Sequence, residues 1–178
     1  MSNKVLVVVD MQNDFITGAL ANTEGQKIVP KLVDYVKNFD GDVFTTQDTH
    51  GQDYMSTVEG QNLPVPHCIM AEDGWQLIPE LLDILQDDDF YKNKSVRNFL
   101  KNTFGSIELA EAISSNGYDE IEICGVCTDI CVISNTLLIK AALPNAKISV
   151  LKDLCAGVTP ESHETALKAM AACHINIV

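Results

Sequence analysis

Residues 4–15, Lys4-Val5-Leu6-Val7-Val8-Val9-Asp10-Met11-Gln12-Asn13-Asp14-Phe15, open with a β-branched run of strand length that stops at an acidic residue. Such a run reads as a buried strand, and its acidic end as the point where the chain leaves the sheet. Short runs of the same kind recur at residues 42–46, 120–124 and 147–151, with a last one at 175–178. Stretches of helical period alternate with them at residues 26–38, 106–115, 129–142 and 160–173. In the third of these, Ile130, Ile133, Leu137, Leu138 and Ala141 share one stripe. Thr159 can cap the last helix, Pro160 suits its first position, and Glu161 suits the positive end of its dipole. The alternation specifies an α/β fold, an open, doubly wound, mostly parallel sheet with helices on both faces. Ligands of such sheets bind beyond the C-terminal ends of the strands.

With 46% of its 178 residues apolar, the chain can bury one sizeable core, and a single domain over residues 1–178 is expected. Twelve basic residues against twenty-five acidic ones leave a formal net charge of −13. That charge repels phosphate backbones and anionic membrane faces, so neither nucleic acid nor a membrane is expected as a partner. The apolar run at residues 5–9 is too short for a signal-peptide core or a membrane span, which points to the cytoplasm. Six cysteines in that setting read as reduced thiols, catalytic groups or metal ligands rather than as a disulfide framework. The acidic run Asp87, Asp88 and Asp89 reads as a solvated turn.

Polar groups gather where strands end: Asp10 after the first, Asp48 and His50 after the second, and Cys131 soon after the strand ending at Cys124. Residues 47–75 show little periodicity and hold Gly51, Gly60, Pro64, Pro66 and Gly74, so they read as a long functional loop. Cys131 lies in Gly125-Val126-Cys127-Thr128-Asp129-Ile130-Cys131-Val132, where Thr128 or Asp129 can cap a helix and put Cys131 in its first turn. A helix end supplies only about 0.3–1 kcal/mol, too little to ionise a thiol with a pKa of about 8.5. An ammonium about 4 Å away at an effective dielectric of about 20 supplies about 4 kcal/mol, which is the role expected of a lysine. Cys124, Cys127 and Cys131 also make C-x2-C-x3-C, a spacing that could hold zinc or an iron–sulfur cluster, although no fourth ligand follows at finger-like spacing. Cys68, Cys124, Cys155 and Cys173 read most simply as small buried hydrophobes.

The segment Asp10-Met11-Gln12-Asn13-Asp14-Phe15 resembles the D-x-Q-x-D-F signature of the isochorismatase-like cysteine hydrolases, the superfamily that includes nicotinamidases. Lys101-Asn102-Thr103-Phe104-Gly105-Ser106 resembles the family's catalytic lysine with its aromatic-containing turn into a helix. Thr128-Asp129-Ile130-Cys131-Val132 is similar to its T-D-x-C-V. The resemblance runs through nearly the whole chain. It implies Asp10 as general base, Lys101 rather than Lys92 or Lys94 as the catalytic lysine, and Cys131 as nucleophile. It also implies a cis Val126–Cys127 peptide and an oxyanion hole made by the N–H groups of Cys127 and Cys131.

Asp48-Thr49-His50 resembles the metal-binding loop of nicotinamidases, His67 matches the third ligand, and Glu59 falls where some members place a further carboxylate. The implied cofactor is a divalent metal: zinc, or else iron or manganese. Phe15 and Phe104 are candidates for the pocket wall, with Trp75 a third, while His163 and His174 read as structural. The implied reaction is hydrolysis of nicotinamide to nicotinate and ammonia through a thioester. The same triad suits another small amide, a carbamoyl compound or a ureide. A non-catalytic binding protein of this fold would be expected to lack Asp10, Lys101 or Cys131, all of which are present. Members of the family often assemble into homo-oligomers, but no segment here specifies a number of subunits.

Overall fold

The computed structural model describes residues 3–92 and 94–178. Six strands, β1 (Lys4–Val9), β2 (Asp42–Asp48), β3 (Val96–Lys101), β4 (Glu120–Val126), β5 (Lys147–Ala156) and β6 (Asn176–Ile177), form one sheet in the order β3-β2-β1-β4-β5-β6. All five pairings are parallel, so the sheet is wholly rather than mostly parallel. The connecting helices are α1 (Asn13–Ile16), α2 (Thr23–Asn38), α3 (Val58–Asn62), α4 (Pro79–Leu85), α5 (Asp88–Tyr91), α6 (Ile107–Ser115), α7 (Ile133–Ala142) and α8 (Pro160–Ala172).

Residues Val5, Leu6, Val7, Val8 and Val9 are all fully excluded from solvent. Successive strand side chains point to opposite faces, so both faces of β1 are covered. On one side α2 packs on β4 and β5 with α4 against it; α6, α7 and α8 pack in succession, the last two touching β5. Asn22 starts α2 by accepting from the N–H groups of Glu24 and Gly25 at 2.9 and 3.1 Å. Thr159 caps α8 as expected, its Oγ1 accepting from Ser162 N–H at 3.1 Å, with Pro160 in the first turn. No helix among the described residues is long and apolar enough to cross a membrane.

Four expectations are corrected. Residues 96–101 form an unexpected edge strand, whose Arg97, Asn98 and Leu100 face solvent and therefore lack the apolar run of a central strand. In α7 the buried face is Asn135, Thr136 and Ile139, continuing Val132, whereas Leu137 is exposed. The apolar stripe misled because two polar side chains on the true inner face are satisfied by hydrogen bonds to the carbonyls of Cys131 and Val132. The loop at residues 47–75 carries order: β2 runs to Asp48, and α3 and two 3-10 turns follow. Cys68, Cys124 and Cys155 are buried, but Cys173, at the C-terminal cap of α8, is exposed.

Strand order reverses beside β1, because the chain builds β2 and β3 to one side and β4, β5 and β6 to the other. Crevices at such switch points receive ligands. Asp10, Asp48 and Lys101 end or follow β1, β2 and β3 there, and Cys131 follows β4. The approach of β4 to β1 depends on Gly125, which has φ +116° at an irregularity in the β4–β5 register. A Cβ at this position would lie 2.1 Å from the Val9 carbonyl oxygen. Gly125→Ala should therefore lower unfolding stability by about 3 kcal/mol or more, read as a shifted denaturant midpoint.

Candidate active site

Asp10 stands directly after β1 with φ +48°, a left-handed conformation that aspartate tolerates better than most residues. Its N–H donates to the carbonyl and hydroxyl oxygens of Thr46, both at 3.2 Å, and Thr46 Oγ1 donates to Asp10 Oδ1 at 2.6 Å. Lys101 is the last residue of β3, in register with Asp48 of β2. Its Nζ lies 2.7 Å from Asp10 Oδ2, 3.4 Å from Asp48 Oδ1 and 3.6 Å from Cys131 Sγ. All four of these residues are buried. The Lys101 ammonium lies against Asp10 Oδ2, the oxygen that Thr46 does not bond. A lone pair is left there to receive a proton.

Cys131 sits in a π-helical turn, Thr128–Val132, that follows the cis Val126–Cys127 peptide. The Cys127 carbonyl accepts from the N–H groups of Ile130 and Val132 at 3.1 and 3.0 Å. Neither Thr128 nor Asp129 caps this turn, contrary to expectation, because both side chains are engaged across the fold. Thr128 Oγ1 meets His163 Nδ1 at 2.8 Å, and Asp129 Oδ1 accepts from Val158 N–H at 3.0 Å. Together they tie the turn to the segment entering α8. Asn135 ties it to the turn after Lys101, donating to the carbonyls of Cys131 at 2.8 Å and Phe104 at 3.2 Å while accepting from Ser106 N–H.

Burial pushes the Cys131 thiol well above its ordinary pKa, and the Asp10 charge pushes it further, against the opposing pull of Lys101. The pull of Lys101 on the thiol is weakened because two carboxylates share the ammonium's charge. Burial also raises Asp10, opposed by Lys101 and reinforced by Asp48. For Lys101, burial acts downward, but the charges of Asp10, Cys131 and Asp48 hold it above the usual lysine value. The arrangement can pass one proton from thiol to carboxylate beside a fixed cation.

A second group adjoins the first. Ligand atoms of Asp48, His50, Glu59 and His67 all lie within 4.8 Å of one another. Asp48 Oδ2 is 2.9 Å from His50 Nε2 and 3.5 Å from His67 Nε2, while Glu59 Oε1 is 3.6 and 3.7 Å from the same two nitrogens. The Val65 carbonyl, 2.8 Å from His67 Nδ1, accepts the proton on that nitrogen and turns Nε2 toward Asp48 and Glu59, the nitrogen through which the ring would hold a metal. Burial acts upward on Asp48, but hydrogen bonds from His50 and His67 and the Lys101 charge hold it well below the usual carboxylate range. Glu59 is raised by burial and by Asp48. Two imidazoles and two mutually repelling carboxylates fit a divalent cation, whose charge relieves that repulsion. The helix α3, invisible in the periodicity, swings Glu59 into this group.

A cavity of about 520 Å³ opens onto Cys131, with Asp48, Glu59 and His67 in its wall and Phe15, Leu63, Phe104 and Ile130 as apolar lining. A larger groove of about 690 Å³ lies beyond Phe104, but its lining includes neither Cys131 nor the histidines. Phe15 and Phe104 both line the cavity at Cys131. Trp75 does not line it; its Nε1 donates to Thr49 Oγ1 at 2.8 Å and its carbonyl accepts from Gln12 and Gln47. Cys127 also lines the cavity, its thiol pushed up to about 12 by burial and by Asp129. His163 supports the turn that carries Cys131, and His174, at φ +63°, lies just beyond the end of α8. Thr46, Asn135 and Gln12 escaped sequence reasoning as parts of the site. Only Gln12 carried a signal, its place in the opening signature.

A family model described as the isochorismatase domain matches residues 4–178. The nicotinamidase/pyrazinamidase of Mycobacterium tuberculosis is 28% identical over 185 residues, covering 98% of each chain. A probable inactive nicotinamidase of Arabidopsis thaliana is 31% identical over 177 residues, covering 90% of this chain and 84% of that one. The crystal structure of Pyrococcus horikoshii pyrazinamidase in complex with zinc superposes with a TM-score of 0.78 at 28% identity, covering 99% of this chain and 98% of that one.

The raised Cys131 value has a direct spectroscopic consequence. Across the neutral pH range, the protein and its Cys131→Ala variant should show the same ultraviolet thiolate absorbance. A difference of one thiolate would contradict the electrostatics described above.

Proposed function

The chain belongs to the isochorismatase family, and we propose that it is a cysteine-dependent amidohydrolase that converts nicotinamide to nicotinate and ammonia. The observation that carries this reading is the convergence of Asp10, Lys101 and Cys131, with Nζ 2.7 Å from the carboxylate and 3.6 Å from the sulfur, behind a cavity onto which Cys131 opens. A relative described as probably inactive is 31% identical over 177 residues. This chain retains all three groups in mutual reach, which favours catalysis over a binding role.

Asp10 takes the Cys131 proton as Sγ attacks the carboxamide carbon, so the net charge of the buried cluster is unchanged while the thiolate character develops. Lys101 stays protonated and offsets the carboxylate before transfer and the sulfur during it. The carbonyl π electrons move to oxygen, and the N–H groups of Cys127 and Cys131 receive that oxyanion. Asp10 then gives its proton to the amide nitrogen, the C–N bond breaks, ammonia leaves and a thioester remains. Water loses a proton to Asp10 and attacks the thioester. The C–S bond then breaks, the sulfur regains the proton from Asp10, and the carboxylic acid product is released.

Asp48, His50, Glu59 and His67 would hold a divalent metal, zinc being the ion in the P. horikoshii relative. Bound there, it would supply a Lewis acid that a ring nitrogen or a water can occupy. Phe15 stands with its ring centroid 5.6 Å from that of His67, a wall on which a flat heteroaromatic ring can lie. Because a cavity of about 520 Å³ exceeds what a single-ring amide fills, a bulkier amide, a carbamoyl compound or a ureide is the second reading.

Ammonia release from nicotinamide tests the assignment. Cys131→Ala should reduce kcat by about 10³-fold or more while binding persists, because it removes the covalent step. Near-normal turnover by that variant would sink the nucleophile. Removal of metal with a chelator should abolish turnover of the wild-type enzyme, and added zinc should restore it. Activity on other amides but not on nicotinamide would select the second reading.

A further inference from the structure

Gln12 belongs to the opening signature, is fully buried and takes no part in the chemistry above. Its Nε2 donates to the Asp48 carbonyl at 2.9 Å and to the Trp75 carbonyl at 2.8 Å, while its Oε1 accepts from Asp48 N–H at 2.7 Å. Both backbone polar groups of Asp48 are therefore held by one side chain. The reason lies in strand lengths. The β1–β2 ladder pairs Val8 with Thr45, and one more bond runs from Asp10 N–H to the Thr46 carbonyl. β2 continues to Asp48, paired with β3 on its other edge. The Gln12 amide stands in for the strand neighbour that β1 no longer supplies.

This anchorage bears on the aim of the Asp48 side chain. Oδ1 faces Lys101 and Oδ2 faces the two histidines, so a small rotation about the residue's backbone would misplace both oxygens. A carboxamide is the uncharged group of this length that offers both a donor and an acceptor. Glutamate, of the same shape, would oppose carboxylate oxygens to the carbonyls of Asp48 and Trp75.

We propose that Gln12 is a positioning residue for the metal group, its side-chain amide acting as a surrogate strand that holds Asp48 in ligating orientation. This rests on the reading of Asp48, His50, Glu59 and His67 as a metal site. Gln47 provides the control, since its Nε2 donates to the same Trp75 carbonyl at 2.7 Å and its Oε1 accepts from Asn98. Losing it costs buried hydrogen bonds of the same kind but leaves the Asp48 clamp intact.

The test is the zinc dissociation constant, measured by competition with a chromogenic chelator, for the wild type, His50→Ala, Gln12→Glu and Gln47→Met. Gln12→Glu should weaken zinc binding about 10- to 100-fold, and Gln47→Met should leave it within about 2-fold of wild type. Wild-type affinity in Gln12→Glu, or an equal loss in Gln47→Met, would overturn the proposal by showing that Gln12 serves only general stability. If Gln12→Glu does not fold, judged by circular dichroism, Gln12→Met takes its place with the same expectation. Equal zinc affinity in the wild type and His50→Ala would overturn the metal reading itself, and the clamp with it.

Discussion

The buried ammonium of Lys101 is the contact on which the site depends. Taking a carboxylate out of water costs several kcal/mol, of order 20 in the idealised limit, unless a partner and hydrogen bonds compensate it. Here one cation serves Asp10 from the end of β1 and Asp48 from the end of β2, while itself ending β3. Its position holds three strand ends in one cluster. Sharing also limits it, because an ammonium facing two carboxylates has little charge left to stabilise a permanent thiolate.

Asp48 belongs to both halves of the site, one oxygen toward Lys101 and the other toward the histidines. The two groups are therefore neighbours with a common wall, not separate features sharing a cavity. Around them the supporting bonds come from distant elements: Thr46 on Asp10, Asn135 between the Cys131 and Phe104 turns, and His163 on Thr128. Each fixes a turn whose own backbone pattern would leave it free to rotate.

Much of this was legible in the sequence, for identifiable reasons. β1, β4 and β5 announce themselves through β-branched runs, and α8 through its Thr159 cap and Pro160. Asp10, Lys101, Cys131, Asp48, His50 and His67 were found as candidates because their local motifs are continuous in the chain. What failed to show was set by tertiary context. β3 is polar along its solvent side, and the inner face of α7 is built from Asn135 and Thr136, which satisfy themselves on nearby carbonyls. Glu59 reaches the histidines through a five-residue helix too short to leave a period. The side-chain clamp of Gln12 depends on β2 outrunning β1, a difference in length no local pattern records.

The placement of Lys101 on β3 has a dynamic consequence. Among the described residues β3 is hydrogen-bonded within the sheet to β2 alone, so the Lys101 ammonium is carried by an outermost strand. Sheets open most cheaply from their edges, and local opening precedes global unfolding. Fraying at this edge would withdraw the ammonium and leave Asp10 and Asp48 as uncompensated buried charges, while β1, β4 and β5 still held together. Heat or denaturant would then silence the protein before it melted, and the gap between the two would measure the strength of a single edge.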